Sequence, residues 1–275
     1  MNLPLVLAVI KKDSIQLFRK KILLFTLIII PVLMGLVLPI GFAWFIIELD
    51  PSTLTDPEVL DLLNRFLATT ASPDVLTLTF NEQLLYLFLN YPLVTLFLLV
   101  PVITCSVIAA NSFVSEKEQH TLESLLFSPI TIRDLFYGKL LISIASSYLI
   151  SAVCFLINLL VINTLISVNG FSVSFPSTQW WVLLFLLLPI LLLTTALINL
   201  LISTRVSTYQ EAQNLSGIII LPFIGLIIGQ ISGLFFINTL FLILLSIGLL
   251  ILNVFLLKLA LRFGTRDQLF NSQMS

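Results

Sequence analysis

The chain has 275 residues, of which 59% are hydrophobic and 10% charged, with a formal net charge of −1 and a mean hydropathy of +1.13. A soluble domain carries about 25% charge, so polar side chains are too few here to cover a water-facing surface, and the solvent must be mostly lipid. The near-neutral total gives no reason to expect nucleic acid as a partner, and two cysteines inside apolar runs (Cys105, Cys154) with a lone His120 make neither a disulfide framework nor a metal cluster.

In chain order, residues 1–21 carry Lys11, Lys12, Arg19, Lys20 and Lys21, and the apolar run 22–47 follows. That run exceeds the ~7–15 residues of a signal-peptide core, and no small-residue cleavage site closes it. It reads as a retained membrane span. A helix crosses the hydrocarbon core with roughly 20 residues, and charge-free windows of that length predict further spans at 84–110, 140–168, 180–203, 215–235 and 239–257. The polar stretch NGFSVSFPSTQ separates the third and fourth; a tight turn near Asn238 separates the last two. Residues 212–257 also admit a re-entrant pair. The expected fold is an all-α polytopic integral membrane protein with six transmembrane helices.

The distribution of charge orients it. Twelve of the thirteen Lys/Arg fall in residues 1–21, the loop 111–139, the stretch 204–214 and the tail 258–275; only Arg65 lies on the other side. The positive-inside rule then makes both termini cytoplasmic. In the tail, Lys258, Arg262 and Arg266 are four apart, so one basic face meets the lipid surface. The loop 48–83 is the complement, with seven acids (Glu48, Asp50, Asp56, Glu58, Asp61, Asp74, Glu82) against Arg65. Within it Val59, Leu60, Leu63, Phe66 and Leu67 recur at helical spacing, which predicts a short amphipathic helix over the outer mouth. A lid and a solvated cap are both open readings of it.

No Asp, Glu, Lys, Arg or His falls inside a predicted span. Such residues cost ~2.5–3.5 kcal/mol at mid-bilayer and are retained for function, so proton coupling and an intramembrane metalloprotease are both disfavoured; sodium coupling is disfavoured less. Asn90, Thr95, Thr194, Thr195, Asn199 and Gln230 fit interhelical hydrogen bonds. Gly225, Gly229 and Gly233, at four-residue spacing after the bend expected at Pro222, predict a close-packing stripe, either within the chain or as a dimer contact.

The densest charge lies in SFVSEKEQHTLESLLFSPITIRDLFYGKLL, residues 112–141. Ser115 and Glu118 spell a capping box that opens a helix. Leu122, Leu125 and Leu126 form an apolar stripe, Glu116 and Glu123 share a polar face, and Pro129 ends the helix. Thr131 and Asp134 offer a second cap, after which a helix continues through Lys139 into the third span. The apolar stripe needs cover. An acidic polar face would be repelled by anionic lipid, which favours a groove on a soluble partner.

The run E-K-E-x-x-T-L-E-x-L-L-x-x-P, followed after eight residues by G-K-L-L, resembles the cytoplasmic signature of the type-2 ABC transporter permeases, and the six-span layout with both ends inside resembles theirs too. Gln119-His120 stands where that family often has Gly. The resemblance implies a type-2 ABC exporter-like transmembrane domain, multi-pass in the plasma membrane of a prokaryote. It also implies a coupling loop in which Glu116, Glu118, Thr121, Leu122, Glu123, Leu125, Leu126 and Pro129 contact a separate ABC ATPase subunit. The segment from Leu5 to Phe18 would be the interfacial helix before span 1. Two copies, or one copy and a similar permease, would pair. The chain has no G-x-x-x-x-G-K-[ST] phosphate loop, so it is expected to be no enzyme and to bind no cofactor itself; ATP and Mg would sit on the partner ATPase. Cargo would be hydrophobic or amphipathic: a drug, a lipid or a peptide. A non-transporting membrane scaffold for an ABC ATPase is the alternative, and an ATP-independent carrier a third.

Overall fold

The computed structural model describes residues 3–50, 57–69, 73–118, 132–206 and 208–263; it is helical, with no strand among the described residues. Six helical stretches are long and apolar enough to cross a membrane: span 1 (Leu23–Glu48), span 2 (Phe80–Val114), span 3 (Asp134–Val168), span 4 (Thr178–Ser203), span 5 (Tyr209–Ile231) and span 6 (Thr239–Ala260). Among the described residues three shorter helices accompany them: α1 (Leu3–Arg19) before span 1, and α2 (Pro57–Thr69) and α3 (Pro73–Leu76) between spans 1 and 2. Span 5 and span 6 are separate helices, each long and apolar enough to cross a membrane.

Span 2 is the hub: 83% of its most apolar stretch is buried within the chain, against 22% for spans 5 and 6. Outward faces instead carry large apolar side chains, among them Phe25, Phe45, Leu160, Phe185 and Ile251. In water such a surface would aggregate; in a bilayer it is solvated.

Without a hydrophobic drive between helices in lipid, packing and polar contacts hold them together. The spans are stitched by side-chain amides and an indole. Gln230 Nε2 donates to Thr95 Oγ1 (2.7 Å), joining spans 5 and 2. Asn199 Nδ2 on span 4 donates to Ser106 Oγ on span 2 (3.3 Å), and Ser216 Oγ on span 5 donates to Asn199 Oδ1 (2.5 Å). Asn253 Nδ2 on span 6 donates to the Ile190 carbonyl on span 4 (3.0 Å), and Trp180 Nε1 to the Leu89 carbonyl on span 2 (3.1 Å). Asn90, Thr194 and Thr195 bond the preceding turn of their own helices rather than a neighbour. A hydroxyl or amide four residues past a carbonyl can always fold back on it.

One of these bonds repairs a proline. Pro39 has no N–H for the carbonyl of Gly35, four residues earlier, and the helix around it widens to a π-turn over Leu33–Val37. Asn158 Nδ2 of span 3 donates to that carbonyl (2.5 Å). Glycine at residue 35 eases the approach of span 2: a Cβ there would lie 3.2 Å from Val100, whereas its 3.5 Å to Cys154 of span 3 is an ordinary contact. Asn158→Leu is expected to cost about 1 kcal/mol, read as a lower midpoint of unfolding in mixed micelles; an unchanged midpoint would mean that the carbonyl is satisfied some other way.

The glycines of span 5 do not form a single stripe. Gly225 faces open space, and a Cβ at Gly229 would lie 2.5 Å from the ring of Phe235, in the same chain's following turn. Gly233 lies past the helix end with φ +65°. Its N–H bonds the Gln230 carbonyl and that of Leu234 the Gly229 carbonyl, both at 3.0 Å, which is a Schellman cap. Gly233 thus ends the helix, and it also admits α2 closely: a Cβ there would lie 3.1 Å from Arg65 and 3.3 Å from Leu62.

At the outer end, α2 lays Leu63 and Phe66 onto the start of span 2, where Phe66, Tyr91 and Phe236 meet edge to face with centroids 5.3–5.6 Å apart. Glu82 belongs to this end but not to its solvated charge. It is buried, and its carboxylate accepts from the N–H and hydroxyl of Thr79 (2.8 and 2.7 Å) and the N–H and hydroxyl of Ser172 (both 2.7 Å). It thereby clips the stretch between spans 3 and 4 to the start of span 2. A glutamine has one acceptor oxygen instead of two and must strand donors, so Glu82→Gln is expected to cost about 1–3 kcal/mol. Thermal unfolding of the purified protein checks it, and an unshifted midpoint would show the clip to be idle.

Candidate functional site

The loop singled out by its charge begins and ends in described helices. Ser115–Glu118 do not open a new helix: the helix of span 2 runs unbroken from Pro92 to Glu118. A change from apolar to polar side chains does not end a helix when Ser, Glu and Lys supply no break; it marks where the helix leaves the lipid. Glu116 and Glu118 lie in that last turn. Thr121, Leu122, Glu123, Leu125, Leu126 and Pro129 lie outside the described residues. The helix of span 3 starts at Ile132 and continues to Val168. At 1.5 Å per residue, this 37-residue helix is about 55 Å long, so its first turns project beyond the ~30 Å hydrocarbon core.

What these helix ends share is a dry polar cluster. The buried face of α1 is Val6, Val9, Asp13 and Leu17, spaced three and four apart, so an acid sits in the middle of an apolar stripe. Asp13 is 4% exposed, Lys139 2% and Ser112 6%. Lys139 Nζ lies 3.8 Å from Asp13 Oδ2 and donates to the Ser112 carbonyl; the Ser112 hydroxyl donates to Asp13 Oδ2 at 2.6 Å. The ring of Phe113 lies 5.8 Å from Lys139 Nζ, within cation–π reach. One turn earlier on span 3, Asp134 is also buried, in the first helical turn, where a carboxylate meets the positive end of the helix dipole.

Two further contacts fix α1. A Cβ at Gly138 would lie 2.9 Å from Val9 Cγ1, so only glycine admits α1 at this distance. Lys20, the extended residue between α1 and span 1, donates from Nζ to Asn111 Oδ1 on span 2 (3.0 Å). The apolar stripe of α1 is therefore covered by spans 2 and 3 rather than by lipid alone, while Lys11 and Lys12 stay exposed.

Of the charges expected to serve recognition by a partner, Asp134 and Lys139 are thus turned inward. Lys139 and Gly138 of G-K-L-L seat α1 on span 3. Sequence reasoning placed Asp13 in no site. Its signal was legible, a lone acid in a Val–Val–Leu stripe, but its partner lies 126 positions away.

The family model described as "ABC-2 type transporter" matches residues 4–227. The chain belongs to the ABC-2 type transporter family. No curated protein and no solved structure matches it. An ABC-2 member with six apolar spans is a multi-pass membrane protein and a permease component of an ABC transporter, and such permeases typically partner with an ABC ATPase. In this ABC-2 chain the match starts within α1 and ends within span 5, so it takes in the buried cluster and both ends of the charged loop.

Proposed function

We propose that this chain is the membrane-spanning subunit of an ATP-driven exporter, coupled through residues 111–139 to a separate ATPase at the cytoplasmic face of a prokaryotic plasma membrane. Glu116, Glu118, Thr121, Leu122, Glu123, Leu125, Leu126 and Pro129 form the contact. Two membrane subunits, identical or similar, pair with two ATPases. Nucleotide binding and hydrolysis switch the membrane halves between discrete packings. Cargo passes along an apolar path, so it is a hydrophobic or amphipathic drug, lipid or peptide.

The observation that carries the reading is the foot of the loop. Asp13, Ser112 and Lys139 tie α1, span 2 and span 3 into one unit directly beneath it. A pull on the loop cannot move one of these helices alone. Force delivered at Glu116 and Glu118 would pass along an unbroken helix into span 2, the most buried span.

The test is reconstitution of the chain with its ATPase in liposomes. ATP hydrolysis that rises with an amphipathic dye or peptide, together with ATP-dependent cargo movement away from the nucleotide side, is the expected result. Association with the ATPase without movement of any cargo would make the chain a scaffold, and transport without the ATPase would make it a carrier.

A further inference from the structure

Spans 4, 5 and 6 enclose an apolar groove of about 570 Å³ that opens outward between them. Its walls include Leu191 and Ile198 of span 4, Leu215 and Leu226 of span 5 and Leu249 of span 6. Thr194 and Thr195 also line it, but their hydroxyls are spent on the Ile190 and Leu191 carbonyls of their own helix, at 2.9 Å each. The wall along its length is therefore apolar in chemistry as well as in composition. One lining residue is charged. Arg205, exposed in the short connection between spans 4 and 5, stands at the end of the groove. Glu211, the nearest acid along the chain, opens the first turn of span 5 and does not line the groove.

The dimensions suit one kind of occupant. Along span 4 the wall runs from Leu191 to Ile202, about 16 Å at 1.5 Å per residue. That is half of the ~30 Å hydrocarbon core, the depth of a single leaflet. Span 6 enters the wall around its middle, at Leu245, Leu249 and Leu252, and span 5 lines it from Leu215 to Leu226, so the groove reaches from the Arg205 end into the middle of the bundle. Its volume falls within the ~300–1,000 Å³ of small-molecule sites. A slot about 16 Å long on span 4, apolar along its walls and cationic at its mouth, complements an amphiphile with an anionic head.

We propose that this groove holds an anionic phospholipid of the leaflet on the Arg205 side, with an acyl chain against spans 4, 5 and 6 and its phosphate paired with Arg205. Guanidinium binds phosphate through two parallel hydrogen bonds, and basic pockets between membrane helices select anionic heads for this reason. The seated lipid fills the gap between two spans that bury little of themselves in the chain, and so fixes their distance from span 4. The site is independent of whether the chain exports cargo.

The experiment uses the full chain equilibrated in detergent with mixed phosphatidylglycerol and phosphatidylcholine vesicles, then purified and weighed with retained lipid by native mass spectrometry. The wild type is expected to retain phosphatidylglycerol about fivefold over phosphatidylcholine, the worth of one well-placed cation at the membrane surface. Arg205→Ala loses that preference, and Arg205→Lys keeps most of it. Ile198→Trp, which fills the groove and leaves the arginine, lowers retention of both lipids. Arg205 is exposed, so its variants keep the fold, which their elution as single species verifies. Equal retention by Arg205→Ala and wild type, no headgroup preference in the wild type, or cross-linking of an Ile218→Cys chain to a second copy across the groove would each overturn the proposal.

Discussion

Lys139→Met is expected to destabilise the protein by about 3–5 kcal/mol, the largest single effect among residues of the polar cluster. The substitution keeps the length of the side chain and removes its charge. Asp13 then remains in a site where it is 4% exposed with no cation at 3.8 Å, and breaking a buried pair from one side leaves an uncompensated charge in low dielectric. The Ser112 carbonyl loses its donor at the same time. Asp13→Leu alone strands the lysine and should cost a similar amount. The double variant Asp13→Leu, Lys139→Met removes both charges and restores apolar packing, so it should recover most of the loss, as replaced buried pairs often do. Thermal unfolding of the four proteins in one detergent closes the cycle. If the single variants unfold at the wild-type temperature, the pair is not what seats α1. If the double variant is stable yet uncouples ATP hydrolysis from transport, the pair serves the motion as well as the fold.

Leu125→Asp or Leu126→Asp is expected to abolish co-purification with the ATPase while membrane insertion and unfolding temperature stay unchanged. The two leucines lie on the apolar stripe with Leu122, and a carboxylate on that stripe would be buried without a partner in any groove that accepted it. Membrane fractionation, thermal unfolding and affinity pull-down of tagged ATPase read the three properties separately. Normal pull-down by both variants would move the contact elsewhere and sink the assignment of the loop.

The six-helix body was legible because a lipid-facing helix leaves a plain trace: about twenty residues without charge. The helix ends were not. The helices of span 2 extend past the apolar window to Phe80 and Glu118, since hydropathy records where the lipid stops and not where the backbone does. This is why Glu82, assigned to a loop, belongs to a helix. Only the start of the span 3 helix, at Ile132, was legible, from the cap expected at Thr131 and Asp134. Asp134 and Lys139 lie on the helix expected there, but like Glu82 they are buried. The meaning of Gly233 was ambiguous for a local reason: glycine at four-residue spacing serves a stripe and a left-handed cap alike, and only the backbone angle separates them. Partnerships such as Asn158 with Gly35 were out of reach, because 123 residues separate donor from acceptor. The foot of the loop lay between these cases. Its glycine and lysine stood in the recognised G-K-L-L, but their purpose required α1 to be in place.

The foot of the loop and the seat of α2 differ in compliance. Beneath the loop, directional bonds among Asp13, Ser112, Lys139, Lys20 and Asn111 tolerate little stretch before they break. At the opposite end, α2 meets span 2 and the turn before span 6 through rings of Phe66, Tyr91 and Phe236, and rings in edge contact can slide over one another with small changes in energy. A torque applied at the foot would leave the Glu82 clip intact, and its displacement would collect at the seat of α2, where the contacts are soft.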